Sequence, residues 1–112
     1  MSSFTEVKLF QVKPDKLSEF EEHISHIIPE QRKQPGCLTV RYMKRFYTLD
    51  GTGNPPRELT KIVKCVKYYA WWEFESKEDY GHANDWFFEK HEKDIQRLLI
   101  MPFDINCGYS LE

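Results

Sequence analysis

The chain has 112 residues, of which 40% are hydrophobic and 30% are charged. This length predicts a single domain over residues 1–112, and the composition is typical of a folded globular protein rather than a disordered one. The formal net charge of −2, with both signs interspersed, argues against a nucleic-acid-binding surface or an anionic-membrane surface. No apolar run approaches the ~20 residues that a membrane span requires, so we expect no membrane partner.

Two features of the sequence bear on the location of the protein, namely its N-terminal residues and its cysteines. The first residues lack an apolar signal core, which favours a cytoplasmic location. The three cysteines, Cys37, Cys65 and Cys107, lie far apart and form no Cys-x-x-Cys pair. They are therefore predicted to be free thiols in a reducing compartment, and no zinc site is expected from them.

The first third of the chain predicts a strand followed by a helix. Residues 4–12 read as a strand, and Pro14 with Asp15 suits the first turn of a helix. Apolar side chains then recur at three- and four-residue steps, which predicts an amphipathic helix built on Leu17, Phe20, Ile24, Ile27 and Ile28. We expect Pro29 to kink or end this helix and the turn at residues 34–36 to stop it.

The rest of the chain predicts three more strands and further helical structure. Ser76 and Asp79 form a plausible capping box, so one helix or two should begin at Lys77, continue to about Ile100 and end before Pro102. Residues 49–58 have turn chemistry throughout and predict a long hairpin tip. The strands are predicted at residues 37–48, 59–75 and 103–111.

This order is strand, helix, strand, strand, helix, strand. It predicts an α+β, ferredoxin-like βαββαβ fold, with both helices on one face of a four-stranded antiparallel sheet. The third strand has two apolar faces. The helices can cover Ile62, Val66, Tyr68, Ala70, Trp72 and Phe74, but Val63, Cys65, Tyr69 and Trp71 point to the other side. A second copy of the chain is the simplest cover for that side, so we predict a homodimer.

Three segments carry a family resemblance over nearly the whole chain. They are Gln-Pro-Gly-Cys-Leu at residues 34–38, Trp-Glu-Phe-Glu-Ser-Lys-Glu-Asp-Tyr-Gly-His at residues 72–82, and the pair Phe87-Phe88. The chain thereby resembles the antibiotic-biosynthesis monooxygenase (ABM) superfamily, whose members are dimeric α+β barrels. It departs from the family pattern in two places: His82 lies one residue closer to Ser76 than the family's helix histidine, and the hairpin tip at residues 49–58 is longer.

The resemblance implies an activity. Many members of this family oxygenate hydroquinones or polyphenols without metal or flavin, so we expect a monooxygenase without a cofactor, acting on a small aromatic substrate. A phenol that loses its proton can pass an electron to dioxygen directly, so the protein need supply only a base, a ring pocket and protection from water. Two alternatives stay open, namely a non-catalytic small-molecule-binding protein and an isomerase or lyase on the same scaffold.

Two histidines are candidate catalytic bases, because an imidazole has a pKa near neutrality. His82 matches the family's helix histidine apart from the one-residue offset. On a continuous helix it would point away from the apolar stripe, with Trp86 beside it, whereas a break at Asn84 and Asp85 would free both to turn inward. His91 lies on the apolar stripe itself, where a hydrogen-bonded core histidine is the ordinary alternative.

Aromatic residues on the predicted helix-covered face are the candidate substrate-binding groups. Tyr68 and Trp72 each carry a polar group that needs a partner when buried, and Trp86 joins them if the helix breaks. Core packing is the alternative role for Tyr68 and Trp72. A stripe on the first helix, Glu19, His23, His26 and Glu30, has ligand-like spacing, but its position off the apolar face favours a solvated surface, so no metal is predicted.

Overall fold

The computed structural model describes residues 2–61 and 64–111. Within them, six strands and two α-helices follow the chain as β1 (Phe4–Val12), α1 (Leu17–Arg32), β2 (Cys37–Lys44), β3 (Tyr47–Thr48), β4 (Arg57–Glu58), β5 (Val66–Phe74), α2 (Lys77–Gln96) and β6 (Asp104–Tyr109). A short 3-10 turn, Pro14–Lys16, leads into α1. In the described part of the chain, neither helix combines the length and the apolar character needed to cross a membrane.

Four of the strands form one antiparallel sheet in the order β2-β5-β1-β6. The inward residues of β1 and β5 and the buried residues of both helices belong to the same core, so α1 and α2 pack on one face of this sheet. The predicted ferredoxin-like fold, with both helices on one side of a four-stranded antiparallel sheet, is therefore confirmed.

The predicted second and third strands are too long. After Lys44 the chain leaves the sheet, and β3 pairs with β4 in a separate two-stranded hairpin. Prolines at positions 55 and 56 cannot donate to a ladder, which confines the strand pairing here to two residues on each side. The next strand of the main sheet, β5, begins only at Val66 rather than at residue 59. Ile62 and Val63, which were assigned to the two faces of the third strand, lie outside the described residues.

Both helices are more continuous than the sequence indicates. The expectation that Pro29 could end the first helix is wrong, because α1 runs on to Arg32. Its buried face, which includes Ile27 and Gln31 on either side of the proline, packs against the core, and this tertiary contact outweighs the one backbone bond that proline removes. The alternative of two helices after Ser76 is also wrong, since α2 is unbroken through Asn84.

The alternation on β5 is confirmed. Val66, Tyr68, Ala70, Trp72 and Phe74 are buried beneath the helices. On the opposite face, Trp71 is 45% exposed and Met43 of the neighbouring β2 is 54% exposed. The sheet therefore has one packed face and one open face, and the open face carries large apolar side chains.

Candidate functional site

His82 lies on the exposed side of α2. The helix begins at Ser76, whose Oγ accepts a hydrogen bond from the Asp79 backbone N–H at 3.1 Å. From that start it continues without the break that would have turned His82 toward the sheet, so the imidazole faces solvent next to the buried Ala83. Among the described residues, no contact of His82 would position a substrate against it, so its catalytic role stays a prediction.

His91 lies where α2 meets α1. Its Nε2 is 3.1 Å from Glu30 Oε1, and its side chain is only 14% exposed. The ring centroid lies 5.2 Å from that of Trp86 and 5.9 Å from that of Phe87. When Nε2 carries the proton and donates to Glu30, Nδ1 is left as an acceptor, so this pair fixes one tautomer of the imidazole.

Trp72 is enclosed by other aromatic rings beneath α2. Its exposed fraction is 1%, and its ring centroid lies 4.8 Å from that of Phe74 and 6.1 Å from that of Phe87. Its Nε1 is buried and has no hydrogen-bond partner among the described residues. Trp72, Trp86 and His91 are thus connected through Phe87, in a tightly packed part of the core.

Tyr68 lies in a different place, beside a cavity that opens to solvent between α1 and the β2–β5 edge of the sheet. This Tyr68 cavity has a volume of about 210 Å³. Its apolar wall consists of the side chains of Phe20, Ile24, Ile28 and Tyr42. A cavity of roughly 150 Å³ lined by such residues holds a benzene molecule, so the Tyr68 cavity has room for one substituted ring but not for several fused rings.

Two charged residues that the sequence did not single out complete the wall of the Tyr68 cavity. Lys44 Nζ lies 2.7 Å from Glu21 Oε2, and the Tyr68 hydroxyl donates a hydrogen bond to the same oxygen. The hydrogen bonds from Lys44 and Tyr68 lower the pKa of Glu21 below its usual value. Burial, and then the hydrogen bond to Glu21 and the Glu21 charge, raise the pKa of Tyr68, so Glu21 is a carboxylate and Tyr68 a neutral donor at pH 7.

A second polar group missed by the sequence reasoning lies beneath α2. Glu6 and Lys8 of β1 form an ion pair of 2.7 Å with side chains only 1% exposed, and the Tyr80 hydroxyl donates to the other Glu6 oxygen. The Lys8 ammonium also lies 4.0 Å from the centroid of the Phe87 ring. The sequence already indicated this pair. Glu6 and Lys8 are separated by even steps from Phe4, Phe10 and Val12, so all five side chains lie on the strand face that the helices cover.

The open face of the sheet carries two wide surface depressions. Two grooves of about 650 and 670 Å³ lie on either side of the β5–β1 pair, and Val7, Trp71 and Glu73 line both of them. Tyr109 of β6, which is 63% exposed, lies at the far wall of the second groove. These grooves are shallow and open, as expected of a sheet face that another surface could cover.

The structure therefore does not gather the predicted site residues at one point. Tyr68 lines the cavity beside α1, the set Trp72, Trp86 and His91 lies under and beside α2, and His82 stands apart. The stripe on α1 is divided among other contacts: Glu19 pairs with Arg97 at 2.7 Å, and Glu30 pairs with His91. Among the described residues, no three His, Cys, Asp or Glu side chains cluster as a metal site would require.

Residues 3–53 match the family model described as Antibiotic biosynthesis monooxygenase. None of the curated proteins shows a significant match to the chain. Solved structures share its fold over almost its whole length. Their sequence identities to this chain are so low that the likeness shows the fold alone.

The structure of Rv0793 from Mycobacterium tuberculosis has a TM-score of 0.74 at 14% identity, covering 99% of this chain and 97% of that one. A variant of SnoaB, a cofactor-independent oxygenase from Streptomyces nogalater, has a TM-score of 0.71 at 17% identity, covering 100% and 96%. A dimeric ferredoxin-like protein from an uncultured marine organism has a TM-score of 0.68 at 9% identity, covering 100% and 98%. The family match over residues 3–53 and the fold shared by the whole chain together confirm the resemblance to the antibiotic-biosynthesis monooxygenase superfamily.

Proposed function

We propose that this protein is a cofactor-independent monooxygenase that oxidises a one-ring phenol or quinol with dioxygen in the Tyr68 cavity. The observation that carries the proposal is a solvent-open cavity of about 210 Å³, lined mainly by aromatic and aliphatic side chains, on the helix-covered side of an ABM-like sheet. A pocket of this size and lining suits a single aromatic ring. The likeness to a cofactor-independent oxygenase supports the reaction type.

The chemistry needs no group beyond the protein, the phenol and dioxygen. A base removes the phenol proton, and the phenolate passes one electron to dioxygen to give a phenoxyl radical and superoxide. These two combine at a ring carbon that carries a hydrogen and form a peroxide anion. The outer oxygen then leaves as water with the proton held by the base and the hydrogen of that carbon, and the carbon becomes the second carbonyl of a quinone. The net reaction is phenol plus dioxygen to quinone plus water, and the apolar side chains that line the cavity shield one side of the bound ring from bulk solvent.

Two serines on α1 offer a matched test of the cavity. Ser25 lines it, whereas Ser18 is exposed about two turns earlier on the same helix and does not line it. Tryptophan at position 25 should fill the cavity and lower kcat/KM for oxygen uptake with a hydroquinone or phenol at least tenfold. The same substitution at position 18 should leave the rate unchanged, and equal rates for both variants would refute the proposed location.

The same measurements separate the alternative functions. Wild-type protein that converts no ring compound but binds one stoichiometrically would be a binding protein. Turnover of a carbonyl compound without oxygen uptake would indicate an isomerase or a lyase.

His82 and His91 do not line the Tyr68 cavity, so their role as bases remains a prediction. Loss of turnover on alanine substitution at either position would identify that histidine as the base. Retention of turnover in both variants would remove the histidines from the mechanism.

We also propose that the open sheet face is covered by a second copy of the chain. Trp71 and Met43 are about half exposed there, and large apolar patches on a sheet face are typical of interfaces. The likeness to a dimeric ferredoxin-like protein supports this arrangement. Trp71→Asp should give a monomer by light scattering, whereas Tyr47→Asp, at an aromatic position on the β3–β4 hairpin that is 56% exposed against 45% for Trp71, should leave a dimer. A wild-type monomer would refute the dimer.

The cysteines bear on location. Cys37, Cys65 and Cys107 are free thiols, and free thiols persist in a reducing compartment. We therefore propose a cytoplasmic location, which fractionation of cells expressing the tagged protein would test.

A further inference from the structure

We propose that Glu21 and Lys44 are the proton-handling pair of the Tyr68 cavity, and that the substrate is a one-ring phenol acidified by an electron-withdrawing substituent such as a ring carbonyl. Glu21 would accept the phenol proton, Lys44 would hold the phenolate oxygen, and Tyr68 would keep the carboxylate in place. This inference rests on the function proposed above and names the groups and the substrate class that it requires.

The first support is the distribution of hydrogen bonds between the two oxygens of the Glu21 carboxylate. Lys44 Nζ and the Tyr68 hydroxyl both bind Oε2. Within the part of the chain that the structure describes, no hydrogen bond reaches Oε1. All three side chains line the Tyr68 cavity. Glu21 is 47% exposed, so its carboxylate lies at the solvent-open mouth of this cavity. There it presents one oxygen that is held in position by its neighbour but is free to accept a hydrogen bond from a ligand.

The second support is the position of the Lys44 ammonium. It is about one quarter exposed, with its Nζ 4.7 Å from the centroid of the Phe46 ring and 5.8 Å from that of the Tyr68 ring. An ammonium has three N–H donors, and Glu21 takes one of them. Of these two rings only Tyr68 lines the cavity. Among the described residues, the ammonium has no anionic partner but Glu21, and an anionic oxygen would be a stronger partner for its remaining donors than a ring.

These contacts define a balanced proton transfer. The phenol O–H donates to Glu21 Oε1, and its proton moves to that oxygen while the electron pair of the O–H bond stays on the phenolate. Lys44 then exchanges its partner, from the neutralised Glu21 to the phenolate, so the site holds one cation and one anion before and after the step. When the later peroxide breaks its O–O bond, the departing oxygen takes the proton from Glu21 and the hydrogen of the attacked ring carbon and leaves as water, which restores the Glu21 carboxylate.

The pKa values of the two acids select the substrate. A simple phenol such as the tyrosine side chain has a pKa of about 10, against about 4.3 for glutamate, so the transfer is disfavoured by roughly 10⁶ before the ion pair contributes. The hydrogen bonds that lower the pKa of Glu21 widen this gap. Each unit by which a ring substituent lowers the phenol pKa recovers a factor of ten. Phenols with a conjugated electron-withdrawing group are therefore the class that this pair can ionise.

The probe for this pair is 4-nitrophenol, whose ionisation is read directly from its visible absorbance under anaerobic conditions. Bound to the wild type, its apparent pKa should be lower than in solution by at least one unit. In Lys44→Met that shift should disappear. Lys16→Met is the matched control, because Lys16 also lies near a glutamate of α1, at 3.8 Å from Glu19, but away from the cavity, and it should retain the full shift.

Oxygen uptake provides the second readout. Glu21→Gln keeps the size of the side chain and an acceptor for Tyr68, and it should lower kcat at least tenfold while urea unfolding stays close to that of the wild type. An equal nitrophenol shift in wild type and Lys44→Met, or full turnover by Glu21→Gln, would overturn the assignment of the pair while leaving the monooxygenase proposal standing. A wild type that takes up no oxygen with any phenol would overturn the monooxygenase instead, and the anaerobic nitrophenol shift would still decide whether the pair ionises a phenol.

Discussion

Replacing Lys8 with methionine tests the ion pair buried beneath α2. Lys8 and Glu6 are both 1% exposed and 2.7 Å apart. At an effective dielectric of about 20, two unit charges at this distance attract by about 6 kcal/mol. Removing both ions from water costs several kcal/mol each, so the net contribution of the pair to folding is close to zero. Burial lowers the pKa of Lys8 and Glu6 opposes that shift, which expresses the same balance.

The two single substitutions and the double substitution should therefore differ sharply. Lys8→Met leaves the Glu6 carboxylate buried and unpaired, and it should lower the free energy of unfolding by about 3–5 kcal/mol. The partner change, Glu6→Gln, keeps an acceptor for the Tyr80 hydroxyl but leaves the ammonium unpaired, at a similar cost. Combining the two should restore the protein to within about 1–2 kcal/mol of the wild type, because no buried charge then remains.

Urea denaturation at pH 7, followed by tryptophan fluorescence, measures all four proteins in one double-mutant cycle. The matched control is Lys44→Met, which removes a lysine from a partly exposed ion pair and should cost no more than about 1 kcal/mol. A loss below about 1 kcal/mol for Lys8→Met, or additive losses in the double variant, would refute the claim that charge desolvation governs this part of the core.

Three further predictions concern local structure. Gly36 and Gly53 both have positive φ, but only at Gly36 would an added Cβ come close to another side chain, at 2.8 Å from the Asp79 Cβ. Gly53→Ala should therefore lower the free energy of unfolding by about 1–2 kcal/mol, and Gly36→Ala should lower it clearly more. Thermal or urea unfolding measures both losses, and equal losses would contradict this contact. Ser76→Ala removes the N-cap of α2 and should cost about 1 kcal/mol in urea, with Ser76→Thr restoring most of it; no loss would show that the cap is dispensable. The pKa of Glu21 is lower in the folded chain than its unfolded value near 4.5, so above that pH its ion pair should stabilise the wild type over Glu21→Gln by about 0.2–1 kcal/mol. This difference in the free energy of unfolding should disappear as the pH falls through the folded pKa. A difference that persists at pH 2 would contradict the linkage.

Hydrophobic periodicity carried most of the fold prediction. The alternation of residues 66–74 and the three- and four-residue steps of α1 depend only on side-chain spacing, so the sheet, the helices and the buried face could be read from the chain. The ends of the second and third strands could not be read, because the residues from 45 to 61 have a choice between extending the main sheet and forming the β3–β4 hairpin. Pairing across the sheet decides that choice, and single-chain propensity does not contain it.

The site was harder to predict, for a reason that α2 makes plain. His82 was chosen by its resemblance to a family histidine, yet its direction depends on whether the helix breaks at Asn84. The sequence offers a capping residue there, but the buried Ala83 and Phe87 hold the helix against the sheet without interruption. Packing of one face thus decided which way the side chain on the other face points.

What the sequence determined by itself is the two-sided sheet, since the period of a strand fixes which side chains share a face whatever surrounds them. The Tyr68 cavity was decided by tertiary structure alone. Glu21 belongs to a polar face of α1 and Lys44 ends β2, and each is unremarkable among the charged residues of the chain. They meet Tyr68 because the angle at which α1 crosses the sheet places them together, and that angle is set by the shapes of all the packed side chains at once.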